Sequence, residues 1–172
     1  MSADTLEEVE GLLRARKTLR EMTPAEIDQF LACARVGRVG IVLDDGPYVV
    51  PVGYGYRDGE IFFHTCYRGL KMEGMRKNPG VCFEADESLS DVSMYRSVIA
   101  RGTVEVIDDP EEMRPYLQGL IDKYRAPVSF DEYMGRPGRD LEREMAVVRI
   151  CVIKPREITG RAMIRIDRQR LE

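Results

Sequence analysis

Tryptophan is absent, histidine occurs once, at position 64, and only four cysteines are spread through a chain of 172 residues. Cys33, Cys66, Cys82 and Cys151 form no Cys-x-x-Cys pair, which excludes a zinc knuckle and a disulfide framework and leaves reduced thiols as the expectation. Three of them sit in apolar runs and are expected to be small buried hydrophobes, whereas Cys66, in a loop, is the one candidate for reactivity. A lone histidine cannot build a histidine-rich metal centre within one subunit, so no metal site is expected. The net charge of -4 gives no dominant basic face, which argues against nucleic acid or an anionic membrane as the main partner. Apolar runs are strand-sized and broken by charge, and the opening MSADTLEEVEG lacks the basic and apolar regions of a secretory signal. A cytoplasmic protein is the expectation. Neither Gly-x-Gly-x-x-Gly nor a Gly-x-x-x-x-Gly-Lys-Ser/Thr loop occurs, so the common parallel nucleotide folds lack support.

What is present is rich in strand signals. YVVPVGYGY (48–56) and EIFFHT (60–65) flank Arg57-Asp58-Gly59 and read as a hairpin, because Val, Tyr, Phe and Ile suit a pleated, buried surface and the Gly allows a tight turn. The basic loop CYRGLK (66–71) follows. Thr65, Arg68, Gly69 and Lys71 put a hydroxyl, two cations and open backbone within seven residues, a set that suits a phosphate. Leu70 to Asn78 then reads as a short helix stopped by Pro79-Gly80, with its free N–H groups beside the same cations. Taken alone, Arg68 and Lys71 read better as solvated loop charges, and Arg76 and Lys77 read as a solvated helix face.

The remaining elements fall in order. Residues 1–22 are charged and mildly amphipathic, with Leu6, Val9, Leu12 and Leu13 spaced for a short helix, and read as an N-terminal arm. Thr23-Pro24-Ala25-Glu26 is a capping box that starts a helix carrying Ile27, Phe30, Leu31 and Ala34 inward, with Gly37 ending it. Strands are expected at Arg38–Leu43, Val81–Asp86, Tyr95–Ile107, where Gly102 marks a bulge or close approach, and Glu144–Ile153. Asp108-Asp109-Pro110 caps a helix to about Tyr124, residues 125–140 read as a flexible excursion, and Ile158–Ile166 pairs weakly beyond the last strand. The domain therefore spans 23–166, with 167–172 as a tail. About six strands joined by hairpins, with helices inserted rather than alternating, argue for a small antiparallel barrel.

Several blocks recur together in a known order: RVGRVG (35–40), YVVPVGYGY, the Asp-Gly turn, IFFHT, the Gly-x-Lys ending at Lys71, MRKNPGVCFE (75–84), YRSVIARG (95–102) and DDPEEM (108–113). In these the chain resembles the flavin-binding split-barrel superfamily, and within it the pyridoxamine 5'-phosphate oxidase-related branch that includes the nitroimidazole-resistance proteins. The resemblance implies a six-stranded antiparallel split β-barrel and a homodimer holding one FMN in each of two clefts between subunits. It implies that the backbone of Val50, Pro51 and Val52 lies along the flavin ring. It also places His64 and Thr65 near the flavin and its phosphate tail, Lys71 on the phosphate with Arg68 assisting, and Arg96, Ser97 and Val98 on a strand that approaches the flavin. His64 is the catalytic candidate, acting on a small-molecule substrate. Leu70 stands where the oxidases proper place a second basic residue, and ITGRAMIRIDRQR lacks their substrate-binding Arg and His, which argues against vitamin B6 oxidation. Three functions follow from the resemblance. They are an FMN-dependent oxidoreductase passing electrons from a reduced nicotinamide to a nitroaromatic or quinone-like acceptor, a flavin- or haem-binding module without turnover, and a deazaflavin-dependent enzyme.

Overall fold

A computed structural model describes residues 17–125 and 127–165; the helix expected around Leu6–Leu13 and the tail 167–172 lie outside the described residues. Eight strands form one antiparallel sheet: β1 (Lys17–Glu21), β2 (Val36–Leu43), β3 (Gly46–Gly53), β4 (Gly55–Arg57), β5 (Glu60–Cys66), β6 (Gly80–Ser88), β7 (Tyr95–Ile107) and β8 (Val148–Arg165). Their order is β3-β2-β6-β7-β8-β5-β4, with β1 on β8. The helices are α1 (Pro24–Cys33), α2 (Leu70–Lys77), α3 (Pro110–Tyr124), α4 (Phe130–Met134) and α5 (Leu141–Val147). The sheet curls around a common core without closing, which is a split barrel.

Two more strands are present than the six expected, and each has a local cause. YVVPVGYGY is not one arm of a hairpin: β3 pairs with β2, β4 pairs with β5, and Tyr54 lies between them. The Tyr54 N–H donates to the Tyr124 hydroxyl at 2.7 Å, and its carbonyl accepts from the same hydroxyl at 2.9 Å, so neither group is left for a ladder. Residues 17–21, expected within an arm, pair with Arg161–Arg165 as β1.

The C-terminal part departs further from expectation. Residues 144–147 are helical, because Asp140 caps α5 through the Arg143 N–H at 3.0 Å, and the strand begins only at Val148. It then runs unbroken for 18 residues and pairs with β7 from Ile107 to Tyr95, so the weak extra strand is part of β8. The stretch 125–140 carries α4, whose Phe130 and Met134 are buried against Ile121.

The capping box at Thr23 and Glu26 is formed, and Ile27, Phe30, Leu31 and Ala34 are all buried. That helix ends at Cys33, and Gly37 instead sits in β2, where an added Cβ would lie 2.2 Å from the Phe83 ring. Inside the barrel, Ile41, Tyr54, Ile61, Phe63, Met72, Met75 and Phe83 form the main core. A second cluster of Phe62, Met113, Leu120, Ile150 and Val152 seals α3 onto the outer face of β5 and β8. Burial of each such side chain contributes about 1.5–3 kcal/mol. Among the cysteines only Cys151 is buried. Strand alternation turns Cys82 outward opposite Arg101 while Val81 and Phe83 point in, and Cys33 is exposed at the end of α1. Among the described residues no helix is long and apolar enough to cross a membrane.

Gly102 is the bulge the sequence suggests. The β7–β8 register shifts between Arg101 and Gly102, and an added Cβ would meet the Lys154 carbonyl oxygen at 2.1 Å. Because that obstacle is backbone in a central strand pair, Gly102→Ala is expected to lower unfolding free energy by about 3 kcal/mol. Urea denaturation measures this, and a loss below about 0.5 kcal/mol would contradict the packing described.

Candidate functional site

The site grows from the end of β5. Side chains alternate along the strand, so Phe62 and His64 face the α3 side while Ile61, Phe63 and Thr65 face the barrel. His64 and Thr65 therefore do not point the same way. The loop after β5 turns at Gly69, which has φ 106° and open space where a Cβ would stand, and α2 starts there without a side-chain cap. Its first N–H groups consequently have no side-chain acceptor. Lys71 is half-buried with Nζ 5.5 Å from the Phe63 ring centre, and burial holds its pKa below the ordinary lysine value. Arg68 is exposed and lies 5.6 Å from the Tyr67 ring. Among the described residues neither cation has an acidic partner.

A third cation joins them. Arg149 lies directly opposite Thr65 in the β5–β8 ladder, and its guanidinium donates to the carbonyls of Ala146 and Val148 at 3.2 and 2.5 Å. Its Nε is buried and has no hydrogen-bond partner, an arrangement that is costly unless something accepts from it. Sequence reasoning missed this residue, although a single Arg inside the apolar run MAVVRICVI was a visible signal.

His64 keeps an exposed edge but is crowded by protein, and its pKa is lowered from the ordinary 6.5, chiefly by that burial and secondarily by the charge of Lys71. Both effects favour the neutral ring. Beside it opens a cavity of about 320 Å³ walled by Gly53 at the end of β3, by the last two turns of α3, and by α4 and α5. Of the residues expected to hold a cofactor, His64 alone lines this cavity.

The others fall into two sets. Val50, Pro51 and Val52 lie on β3, opposite Val39, Arg38 and Gly37, and β3 ends the sheet order, so one backbone edge has no strand partner among the described residues. These join His64, Thr65, Arg68 and Lys71 in the first set. Arg96, Ser97 and Val98 form the second, at the start of β7. Val98 is fully buried, and Arg96 is held by Glu87 at 2.8 Å and lies 5.2 Å from the Phe30 ring. His64 is opposite Ile150 of β8 and Ser97 is opposite Arg161, so eleven positions of β8 separate the sets. At ~3.3 Å per residue that is about 35 Å of strand. That separation applies to the loop; β3 is nearer, since Pro51 is opposite Arg38, Arg38 opposite Glu84 and Glu84 opposite Ile99, three strands from the second set.

The fold is thus a split barrel with a cationic loop at a strand–helix junction. Residues 23–162 match the pyridoxamine 5'-phosphate oxidase family, and the chain belongs to that family. Among solved structures it is similar to a putative 5-nitroimidazole antibiotic resistance protein from Bacteroides thetaiotaomicron, at 24% identity and a TM-score of 0.70, covering 88% of this chain and 92% of that one. A FAD-binding protein from Mesorhizobium loti is similar at 24% identity and a TM-score of 0.64, covering 86% and 98%. An FAD- and heme-binding protein from Mycobacterium smegmatis is similar at 18% identity and a TM-score of 0.68, covering 90% and 77%. At these identities the likeness establishes the fold. An uncharacterized Rhizobium meliloti protein is 29% identical over 86 residues, so the match takes in about half of this chain and about half, 54%, of that relative.

The burial of His64 has a measurable consequence. An NMR titration is expected to place its midpoint below 6.5, and Lys71→Ala is expected to move it up without reaching 6.5, because burial, the larger cause, remains. In the interval between the folded and unfolded values the unfolded chain binds more protons, so this group's effect is a loss of stability as pH falls below about 6.5. A midpoint at or above 6.5 would contradict the site described.

Proposed function

We propose that this chain binds FMN in clefts formed between two copies of itself and acts as an oxidoreductase, passing electrons from a reduced nicotinamide to a small electrophile of the nitroaromatic or quinone type. The observation that carries the reading is the unpaired cationic set at the β5–α2 junction. Arg68 and Arg149 both lie against the Tyr67 ring, the Arg149 Nε is buried without a partner, and Lys71 stands in the first turn of a helix that starts without a side-chain cap. A dianionic phosphate fits that donor set, and it would also offset the burial that depresses Lys71. Thr65 adds a hydroxyl on the same face as Arg149.

Bound FMN would supply the electron-transfer chemistry, and the chain supplies placement and a hydrogen-bond donor. The free edge of β3 at Val50, Pro51 and Val52 offers backbone groups along a flat ring, with Val52 giving an apolar floor. His64, whose neutral form is favoured, donates an N–H hydrogen bond from one ring nitrogen to an acceptor atom on the substrate and polarises it. The wide separation of Arg96, Ser97 and Val98 from the loop is the reason for a second copy. Their strand end comes from the partner, and a homodimer completes each cleft. The structures similar in fold include proteins described as binding FAD, as binding FAD and heme, and as an F420 reductase, so the fold alone does not select the cofactor. The compact phosphate loop favours FMN.

The purified protein is expected to show two flavin absorption bands, to release a mass equal to FMN, and to run as a dimer in light scattering. Lys71→Ala removes one charge-assisted contact worth about 1.5–3 kcal/mol and should weaken FMN binding roughly ten- to hundredfold. Reduced protein should turn over a nitroaromatic faster than free FMN does. A Soret band in place of flavin bands would instead favour haem held by His64, and a spectrum that stays featureless after FMN is added would refute flavin binding.

A further inference from the structure

We propose that the cavity beneath α3, α4 and α5 is the substrate chamber, and that it takes a neutral, flat, largely apolar molecule of one or two rings whose single hydrogen-bond acceptor meets His64. The inference rests on the flavin reading above and adds the place and class of the substrate. The cavity meets the proposed cofactor residues at two points: Gly53 follows Val50–Val52 directly, and His64 precedes Thr65. Its volume of about 320 Å³ sits at the small end of ligand pockets, which begin at roughly 300 Å³.

The lining decides the class. Leu117, Leu120, Ile121, Phe130, Met134 and Met145 make the walls apolar. The polar groups among them are already satisfied by one another. Arg139 pairs with Glu144 at 2.6 Å, donates to the Tyr133 hydroxyl at 2.5 Å, and stacks 3.9 Å from the Tyr133 ring centre. The Tyr124 hydroxyl is taken by the Arg35 carbonyl at 2.5 Å and by the Tyr54 backbone. Arg125 and His64 are both exposed, and among the described lining residues theirs are the polar side chains without a hydrogen bond in the protein; solvent screens the Arg125 charge. A carboxylate entering this space would find Arg139 already neutralised and would face Glu144, whereas a nitro group or a quinone carbonyl needs only the one donor that His64 offers.

The test uses the full chain carrying 13C-labelled methionine methyl groups, titrated with nitrobenzene and with 4-nitrobenzoate. Met134 and Met145 report on the cavity, and Met72 and Met75, inside the barrel, serve as controls. Nitrobenzene is expected to shift the Met134 and Met145 signals saturably and leave Met72 and Met75 in place, with 4-nitrobenzoate at least tenfold weaker. Glu144→Gln, which frees Arg139, should close that gap at least threefold. Leu117→Phe and Met145→Trp, which fill the space, should abolish the nitrobenzene shifts, with the control methyls verifying the fold in each variant. Shifts in all methyls or in none, equal affinity for the two ligands, or unchanged shifts in both filled variants would overturn the proposal. FMN absorbance recorded on the same samples separates the two readings. Protein that takes up FMN but shows no cavity shifts loses the chamber alone; protein that shows the shifts but takes up no flavin loses the oxidoreductase reading and keeps the cavity as a binding site.

Discussion

One hydroxyl sets the shape of this molecule. Tyr124, at the end of α3, accepts from the Tyr54 N–H and shares its single hydroxyl proton between the carbonyls of Arg35 and Tyr54, and so ties the helix to the gap where β3 stops and β4 starts. At that point the run from Tyr48 to Tyr56 leaves its pairing with β2 and takes up pairing with β5. Lys123, beside Tyr124, reinforces this clamp, donating to the Leu31 carbonyl at 3.1 Å with Nζ 3.8 Å above the Tyr54 ring; burial pushes its pKa down to about 8. A buried ammonium is tolerated because it is bonded and faces an aromatic ring. The clamp also positions Gly53, and with it the wall that the cavity shares with the end of β5.

From this follows the electrostatic character of the site. Burial lowers the pKa of both His64 and Lys71, and the charge of Lys71 further disfavours protonation of His64. Arg149 adds a donor that has nothing to bond. Such a cluster is under strain by itself and relaxes when an anion arrives, which is the physical argument for an anionic group at the β5–α2 loop. The long β8 has the opposite role. Ladders with β1, β5 and β7 make it the spine of the sheet, and its length keeps the loop apart from the β7 segment that belongs to the same proposed cleft.

Much of this was legible in the chain itself, for local reasons. The capping box at Thr23, the bulge at Gly102, the helix after Gly69 and the cationic loop are all written within a few neighbouring residues, and each stands where the residues suggest. The split at Tyr54 was not legible, because its cause is a side chain seventy positions away. The continuity of β8 was hidden by a run of apolar residues that serves equally as helix end and strand start; only the cap at Asp140 divides it. Arg149 looked like an interruption of a strand rather than a ligand until its pairing with Thr65 placed it beside the loop. The cavity belongs to α4 and α5, in segments whose Pro, Gly and charge concealed the buried Phe130 and Met134.

The central claim is that the β5–α2 loop is a phosphate site, and the most direct measurement of it compares FMN with riboflavin, which differs by that phosphate alone. Equilibrium titration of the protein by flavin fluorescence is expected to show FMN bound at least a hundredfold more tightly than riboflavin, with the preference falling below tenfold in Lys71→Ala. Equal affinities in the unaltered protein, or a preference that survives intact in the variant, would contradict the account.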